Sequence, residues 1–85
     1  MAVRLLYFAW VRERAGVASE AVEVPAGLIT VADLMAWLSG RGPNFAAAFE
    51  RREVIRTAVN QEHVPHTALL AGAREIAFFP PVTGG

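Results

Sequence analysis

Cysteine and lysine are both absent from this chain of 85 residues. Without cysteine there are no disulfides, no thiolate metal ligands and no cysteine nucleophile. The chain has two histidines, too few to predict a histidine-based metal site, so we assign no metal ligands. All the basic residues are arginine, so no side-chain amine could accept an isopeptide bond from another copy.

An excess of either charge is also lacking, because eight basic residues balance eight acidic ones. The chain therefore has no basic footprint of a nucleic-acid-binding protein. Its first residues show neither the charged lead nor the cleavage site of a signal peptide, and no apolar run is long enough to span a bilayer. We expect a cytoplasmic protein whose partners include no nucleic acid and no membrane.

Local patterns predict the element order β-β-α-(α)-β-β-β in one domain, since a hydrophobic fraction of 54% supports a packed core. The predicted strands are residues 3–9, 20–24, 56–60, a very short edge strand at 63–65, and 74–79. A short helix is predicted over 10–16, a main helix from its cap Thr30 to Gly40, and a further helical stretch opening at Pro43. The charged run 50–53 is interpreted as a solvated turn.

The main helix determines the fold class. Its apolar residues recur at i, i+3, i+4 and i+7 and mark a single buried face, Val31, Leu34, Met35 and Leu38. Leu69 and Leu70 are expected to cover the core. This order suits an α+β fold in which one main helix packs on one face of a small mixed sheet. With the terminal strands side by side in the sheet centre, this would be the β-grasp, or ubiquitin-like, fold.

A tail of unusual composition follows the last predicted strand, with the sequence Phe78-Phe79-Pro80-Pro81-Val82-Thr83-Gly84-Gly85. The two prolines fix φ and hold the chain extended. The two glycines carry no Cβ, so the backbone there fits a channel too narrow for side chains. If extended, residues 80–85 reach roughly 20 Å. We predict a folded domain over 1–79 and a flexible arm over 80–85 that carries the carboxylate of Gly85.

A carboxylate on such an arm suggests a covalent carrier. The group is a poor electrophile until it becomes an acyl-adenylate, from which a sulfur nucleophile displaces AMP to give a thiocarboxylate. The thiocarboxylate is itself a sulfur nucleophile that another active site can consume, which regenerates the carboxylate. One difficult step is thereby divided into two easier ones.

The chain resembles the ubiquitin-like sulfur-carrier family, and in particular the small subunits of molybdopterin synthase (MoaD). The tail is similar to the ending of that family, residues 8–13 (FAWVRE) to its first turn, and residues 58–61 (AVNQ) to its third strand. The chain departs from the family before the last strand, where an acidic Asp-Gly-Asp-Glu turn is replaced by residues 71–75 (AGARE). We therefore do not assume that an acidic patch drives partner docking.

The resemblance implies a β-grasp fold and a mechanism. An ATP-dependent activating enzyme would adenylate Gly85, and a persulfide sulfur donor would convert the transient acyl-AMP to a thiocarboxylate. The tail residues Pro80, Pro81, Val82, Thr83 and Gly84 would then insert into the large catalytic subunit, where cyclic pyranopterin monophosphate receives the sulfur. The chain would bind no cofactor permanently and would not be catalytic alone; a free monomer would join a hetero-oligomer.

Four residues are candidates for partner binding. Phe8 and Phe79 fall on the outward face of the predicted strands, and the family's partner-binding positions match Phe8, His63 and Phe79. If the register were off by one residue, both phenylalanines would instead lie in the core. Arg12 is as compatible with a plain surface role as with a bidentate contact to the tail or to a partner carboxylate.

Three other functions stay open at this point. The chain could carry sulfur for another pathway, such as thiamine synthesis or tRNA thiolation, although the Phe-Phe-Pro-Pro lead disfavours it. It could be a protein modifier in which Gly85 forms an isopeptide bond with lysine. It could also be a β-grasp interaction module with an inert tail, which would keep its binding if Gly85 were deleted.

Overall fold

The computed structural model describes residues 1–81. The predictions for Val82, Thr83, Gly84 and Gly85, and hence for most of the arm, lie outside the described residues. The helices are α1 (Ala9–Ala15), α2 (Val31–Ser39) and α3 (Pro43–Ala48), with a 3₁₀ turn at Arg52–Val54. The strands are β1 (Ala2–Tyr7), β2 (Ser19–Glu23), β3 (Arg56–Val59), β4 (Glu62–Val64) and β5 (Glu75–Phe79).

The five strands form one mixed sheet in the order β2-β1-β5-β3-β4. The first and last strands, β1 and β5, are parallel and adjacent in the centre, with Leu5 opposite Ile76 and Tyr7 opposite Phe78. The other three strand pairs are antiparallel. The predicted β-grasp arrangement is thereby confirmed.

The main helix begins at the predicted cap. The Thr30 hydroxyl accepts a hydrogen bond from the Asp33 backbone N–H at 3.2 Å, and the Asp33 carboxylate accepts one from the Thr30 N–H at 3.0 Å. Both groups of this capping box satisfy backbone donors that the first turn leaves without partners. The whole predicted apolar face of α2 is buried against the sheet, and each such side chain contributes about 1.5–3 kcal/mol by leaving water.

A cluster of aromatic rings fills the core near the end of β5. The Phe78 ring packs against Tyr7 at 5.9 Å and edge-on against Phe49 at 5.2 Å, measured between ring centroids. Phe45 of α3 contacts the same Tyr7 ring at 6.1 Å. Edge-to-face pairs of this kind stabilise the fold beyond their burial. The strand that leads into the tail is thus held firmly at its last buried residue.

Two local predictions need correction. Leu69 does not cover the core: it is 62% exposed, whereas Leu70 is 1% exposed. Successive residues of an extended segment point to opposite sides, so only one of the two leucines can face inward. The first strand also ends earlier than predicted, at Tyr7, because the chain turns into α1 at Ala9, whose φ is 52°.

Candidate partner-docking face and tail base

The side of the sheet turned away from the core carries an apolar row. Leu6 lies opposite Ala77, Ala77 opposite Ala58, and Ala58 opposite His63, so four strands each contribute one residue. Leu6 and Ala77 alternate with the buried residues of β1 and β5, as strand geometry requires. Together with Phe8 and Phe79, the four residues of the row form a surface that we call the docking face: Leu6, Phe8, Ala58, His63, Ala77 and Phe79.

Phe8 and Phe79 lie at the tail end of the docking face. The Phe8 side chain is 47% exposed, and its backbone N–H donates to the Phe78 carbonyl at 3.1 Å, which fixes it beside the end of β5. Phe79 is half-buried, and its ring contacts the exposed His63 ring at 5.2 Å between centroids. The predicted register is therefore right, and a core position for these two phenylalanines is excluded. Their role in docking stays a prediction.

Arg12 lies one helical turn from Phe8. Its backbone N–H donates to the Phe8 carbonyl at 3.3 Å, and its side chain is exposed on α1. Within residues 1–81 its guanidinium forms no salt bridge. Arg12 is thus adjacent to Phe8 along α1 and exposed, and its role in partner binding stays a prediction.

The base of the tail follows directly from the central strand. Pro80 and Pro81 come next after Phe79 and are half-buried. Pro81 lines a groove together with Trp10, Arg14, Arg51 and Val54. Because β5 lies between β1 and β3, the strand that leads into the arm is hydrogen-bonded on both of its edges.

A charged network on the inner face was missed by sequence reasoning. The Tyr7 hydroxyl donates to Glu20 Oε2 at 2.7 Å, and Arg41 binds both Glu20 oxygens at 2.9 and 3.1 Å. Burial would raise the pKa of Glu20, but the hydrogen bonds from Arg41 and Tyr7 outweigh it and hold that pKa below its ordinary value. Burial, and then the bond to Glu20, raises the pKa of Tyr7 far above its ordinary value. The one available signal was alternation, which places Glu20 on the same side as buried Val22.

Asn60 is a second residue whose role the sequence did not reveal. It was predicted as the last residue of the strand 56–60, at a turn signal, but the strand ends at Val59 and the φ of Asn60, 50°, lies in the left-handed region. Its side-chain oxygen accepts from the Arg74 and Glu75 N–H groups at 2.8 and 3.1 Å, and its amide donates to the Gly72 carbonyl at 3.1 Å. Asn60 thereby fixes the start of β5 at the end of the sheet opposite the tail.

Two kinds of feature are absent from residues 1–81, the part of the chain that the structure describes. No helix there is both long enough and apolar enough to cross a membrane. Among the same residues, no three histidine, aspartate or glutamate side chains are grouped so that they could hold a metal ion.

Comparison with known proteins agrees with this geometry. The model of the ThiS family matches residues 5–85. The molybdopterin synthase sulfur carrier subunit of Escherichia coli (strain K12) is 40% identical over 83 residues, which are 98% of this chain and 99% of that protein. The subunit of the same name from Haemophilus influenzae is 35% identical over 83 residues, with the same two shares covered.

A solved structure shows the same fold. The crystal structure of small archaeal modifier protein 1 from Haloferax volcanii superposes with a TM-score of 0.71 at 28% identity, over 95% of this chain and 98% of that one. The family match spans nearly the whole chain and includes both the docking face and the tail motif. This protein belongs to the ThiS family.

Proposed function

We propose that this protein is the sulfur carrier subunit of a molybdopterin synthase and that the carboxylate of Gly85 carries the sulfur. The observation that supports the proposal most strongly is that the docking face includes Phe79, the last residue of the central strand β5, and that Pro80 and Pro81 follow it directly. The sequence then ends in Gly84-Gly85. The E. coli relative of the same name matches over 98% of the chain. The family match also extends through residue 85.

The proposed cycle starts by activating the carboxylate. A carboxylate oxygen of Gly85 attacks the α-phosphorus of ATP in an activating enzyme, and pyrophosphate leaves. The outer sulfur of a donor persulfide then attacks the acyl carbon and displaces AMP. A thiol reduces the resulting acyl disulfide, which releases the Gly85 thiocarboxylate. Adenylation is needed because AMP is a far better leaving group than oxide.

In the second half of the cycle the arm enters the catalytic subunit. The docking face binds this large subunit, and Arg12 supplies a cation beside it. Pro80 and Pro81 keep the arm extended, and the Gly84-Gly85 backbone passes a narrow channel to the substrate. The thiocarboxylate sulfur attacks a carbon of cyclic pyranopterin monophosphate and displaces an oxygen substituent, and water then hydrolyses the acyl–sulfur bond of the resulting thioester, which leaves the sulfur on the substrate and restores the Gly85 carboxylate. Two carrier molecules, each with a Gly85 thiocarboxylate, supply the two sulfurs of one dithiolene.

A protein modifier is the second candidate, because the structural neighbour from H. volcanii is a small archaeal modifier protein. In that function the acyl-adenylate of Gly85 would end in an isopeptide bond to a lysine of a target protein. This chain has no lysine of its own, so chains of the modifier could form only through its N-terminal amine.

Reconstitution distinguishes these functions. The carrier would be incubated with its activating enzyme, ATP, a sulfur donor, the catalytic subunit and cyclic pyranopterin monophosphate, and molybdopterin would be measured. We expect molybdopterin with the wild-type chain and none after deletion of Gly85. Conjugates to lysine without molybdopterin would support the modifier function. A carrier that gains sulfur as a thiocarboxylate, but does not lose it to the synthase, would indicate another sulfur pathway.

The Gly84→Val variant tests the narrow channel in the same assay. Because the folded domain is predicted to end at residue 79, we expect the unfolding transition of the wild type. Molybdopterin formation should nevertheless be lost, because a branched side chain does not pass where glycine does. The Thr83→Val variant is a matched control with the same new side chain one residue earlier. Full activity of Gly84→Val would contradict the channel.

A further inference from the structure

A basic groove lies at the base of the tail, next to the docking face but separate from it. It encloses about 360 Å³ and is lined by Trp10, Arg14, Arg51, Val54 and Pro81. We call it the tail-base groove. Among residues 1–81 its lining includes two guanidinium groups and no carboxylate, and its walls come from α1, from the segment around the 3₁₀ turn and from Pro81 of the arm.

Arg14 is held in place for an anion. Its guanidinium carbon lies 4.7 Å from the centroid of the Trp10 ring, a cation–π arrangement. One of its terminal nitrogens donates to the Ala47 carbonyl at 3.4 Å. In the described residues Arg14 pairs with no carboxylate. Stacking and hydrogen bonding fix the planar group, so a carboxylate would find its donors already oriented.

Arg51 is the second cation of the groove. Its Nε lies 3.4 Å from Glu53 Oε2, and both side chains are about two-thirds exposed, at 69% and 65%. An exposed pair at this distance contributes little. Glu53 lies outside the lining of the tail-base groove. The ion pair uses Nε of Arg51, so its two terminal nitrogens have no carboxylate partner within residues 1–81.

We propose that the tail-base groove binds a carboxylate-bearing segment of the catalytic subunit at the mouth of its tail channel. This inference rests on the function proposed above. A protein that takes up the arm must bring its channel mouth to Pro81, and Pro81 is a wall of this groove. Two oriented guanidinium groups select carboxylates by bidentate hydrogen bonds. The segment would clamp the arm at its base and direct it into the channel.

Charge reversal tests the proposal. The double variant Arg14→Glu/Arg51→Glu should bind the purified catalytic subunit about 10- to 100-fold more weakly, and its affinity should fall less steeply with salt than that of the wild type. Affinity would be measured by calorimetry at several salt concentrations. The control is Arg74→Glu, a single charge reversal at the start of β5, about 17 Å along the strand from Phe79. It should change affinity less than about threefold, since it faces no partner group.

Two further variants separate charge from packing. Arg14→Gln and Arg51→Gln keep much of the side-chain volume and should each show an intermediate loss. Unfolding transitions unchanged from the wild type would confirm that the fold survives. Unchanged affinity of the double variant would overturn the groove proposal. An equal loss of affinity per reversed charge in Arg74→Glu would overturn it as well. In both cases continued molybdopterin synthesis by the wild type would show that the proposed function still holds. Failure of the wild type itself to bind the catalytic subunit would overturn the proposed function, and the groove proposal with it.

Discussion

Phe78 and Phe79 are neighbours in β5, yet the sheet gives them different surroundings. Phe78 is fully buried in the aromatic cluster with Tyr7 and Phe49. Phe79 points to the other face, where it is half-buried and its ring contacts the exposed His63 ring. Folding explains the first ring, because it removes a large apolar surface from water. It explains the second only in part, which is why we propose that the outward face binds a partner.

The same contrast between a buried ring and an outward ring recurs at the end of β1, which is Tyr7, and at the next residue, Phe8. Tyr7 is 1% exposed and Phe8 is 47% exposed. The inner face thus combines packed rings with one satisfied charged network, whereas the outer face carries the exposed ring of Phe8 and the half-buried ring of Phe79. Substitutions on the two faces should therefore affect different measurements.

The largest effect is expected inside. Phe78→Ala should lower the free energy of unfolding by about 3–5 kcal/mol, since it leaves a cavity between Tyr7 and Phe49. That is a large part of the roughly 5–15 kcal/mol that stabilises a small domain. Urea unfolding followed by tryptophan fluorescence measures the change. A loss below about 1 kcal/mol would mean that the aromatic cluster is not the centre of the core.

The next effect separates the faces directly. Phe79→Ala should change the free energy of unfolding by less than about 1 kcal/mol, yet weaken binding to the catalytic subunit about 10- to 30-fold, as expected for an aromatic hot spot. Phe8→Ala should behave alike.

Leu69→Ala is the control for this pair, because Leu69 is 62% exposed but lies outside the docking face. It should leave both stability and affinity close to those of the wild type. If Phe79→Ala lost stability and kept its affinity, the division between a folding face and a binding face would be wrong.

A smaller effect concerns the charged network of the inner face. Glu20→Gln should cost about 1–2 kcal/mol at neutral pH, because it removes the charge-assisted bonds to Arg41. The folded pKa of Glu20 is lowered from its ordinary value, so its carboxylate stabilises the fold above the unfolded pKa and loses this contribution as the pH falls through the folded pKa. The difference between wild type and variant should therefore shrink as the pH falls through the acidic range in which Glu20 is protonated.

Urea unfolding at pH 7 and at lower pH measures this difference, and Glu50→Gln is the control. Glu50 is exposed and forms no ion pair within residues 1–81, so its replacement should change stability little at either pH. A difference for Glu20→Gln that stayed constant down to the lowest pH would contradict an ionic origin.

Local patterns sufficed for much of this molecule. The face of α2 follows from a 3.6-residue period, and the opposite orientations of Phe78 and Phe79 follow from strand alternation, because both signals lie within a few residues. The choice between Leu69 and Leu70 could not be made in this way, since either orientation of the segment satisfies the pattern.

Side-chain contacts between distant segments could not be predicted from local patterns. Arg41 meets Glu20 across 21 positions of the chain, and the Asn60 side chain reaches Glu75 across 15. Arg14 and Arg51 line one groove although they belong to separate elements. Such pairs depend on how the elements pack, which no local period encodes.

The intact mass of this protein, after incubation with its activating enzyme, ATP and a sulfur donor, tests the central claim most directly. The account predicts a mass gain equal to the exchange of one oxygen for one sulfur. The gain should be absent without ATP and should disappear when the catalytic subunit and cyclic pyranopterin monophosphate are added. An unchanged mass, with an activating enzyme that is active on another carrier, would contradict the account.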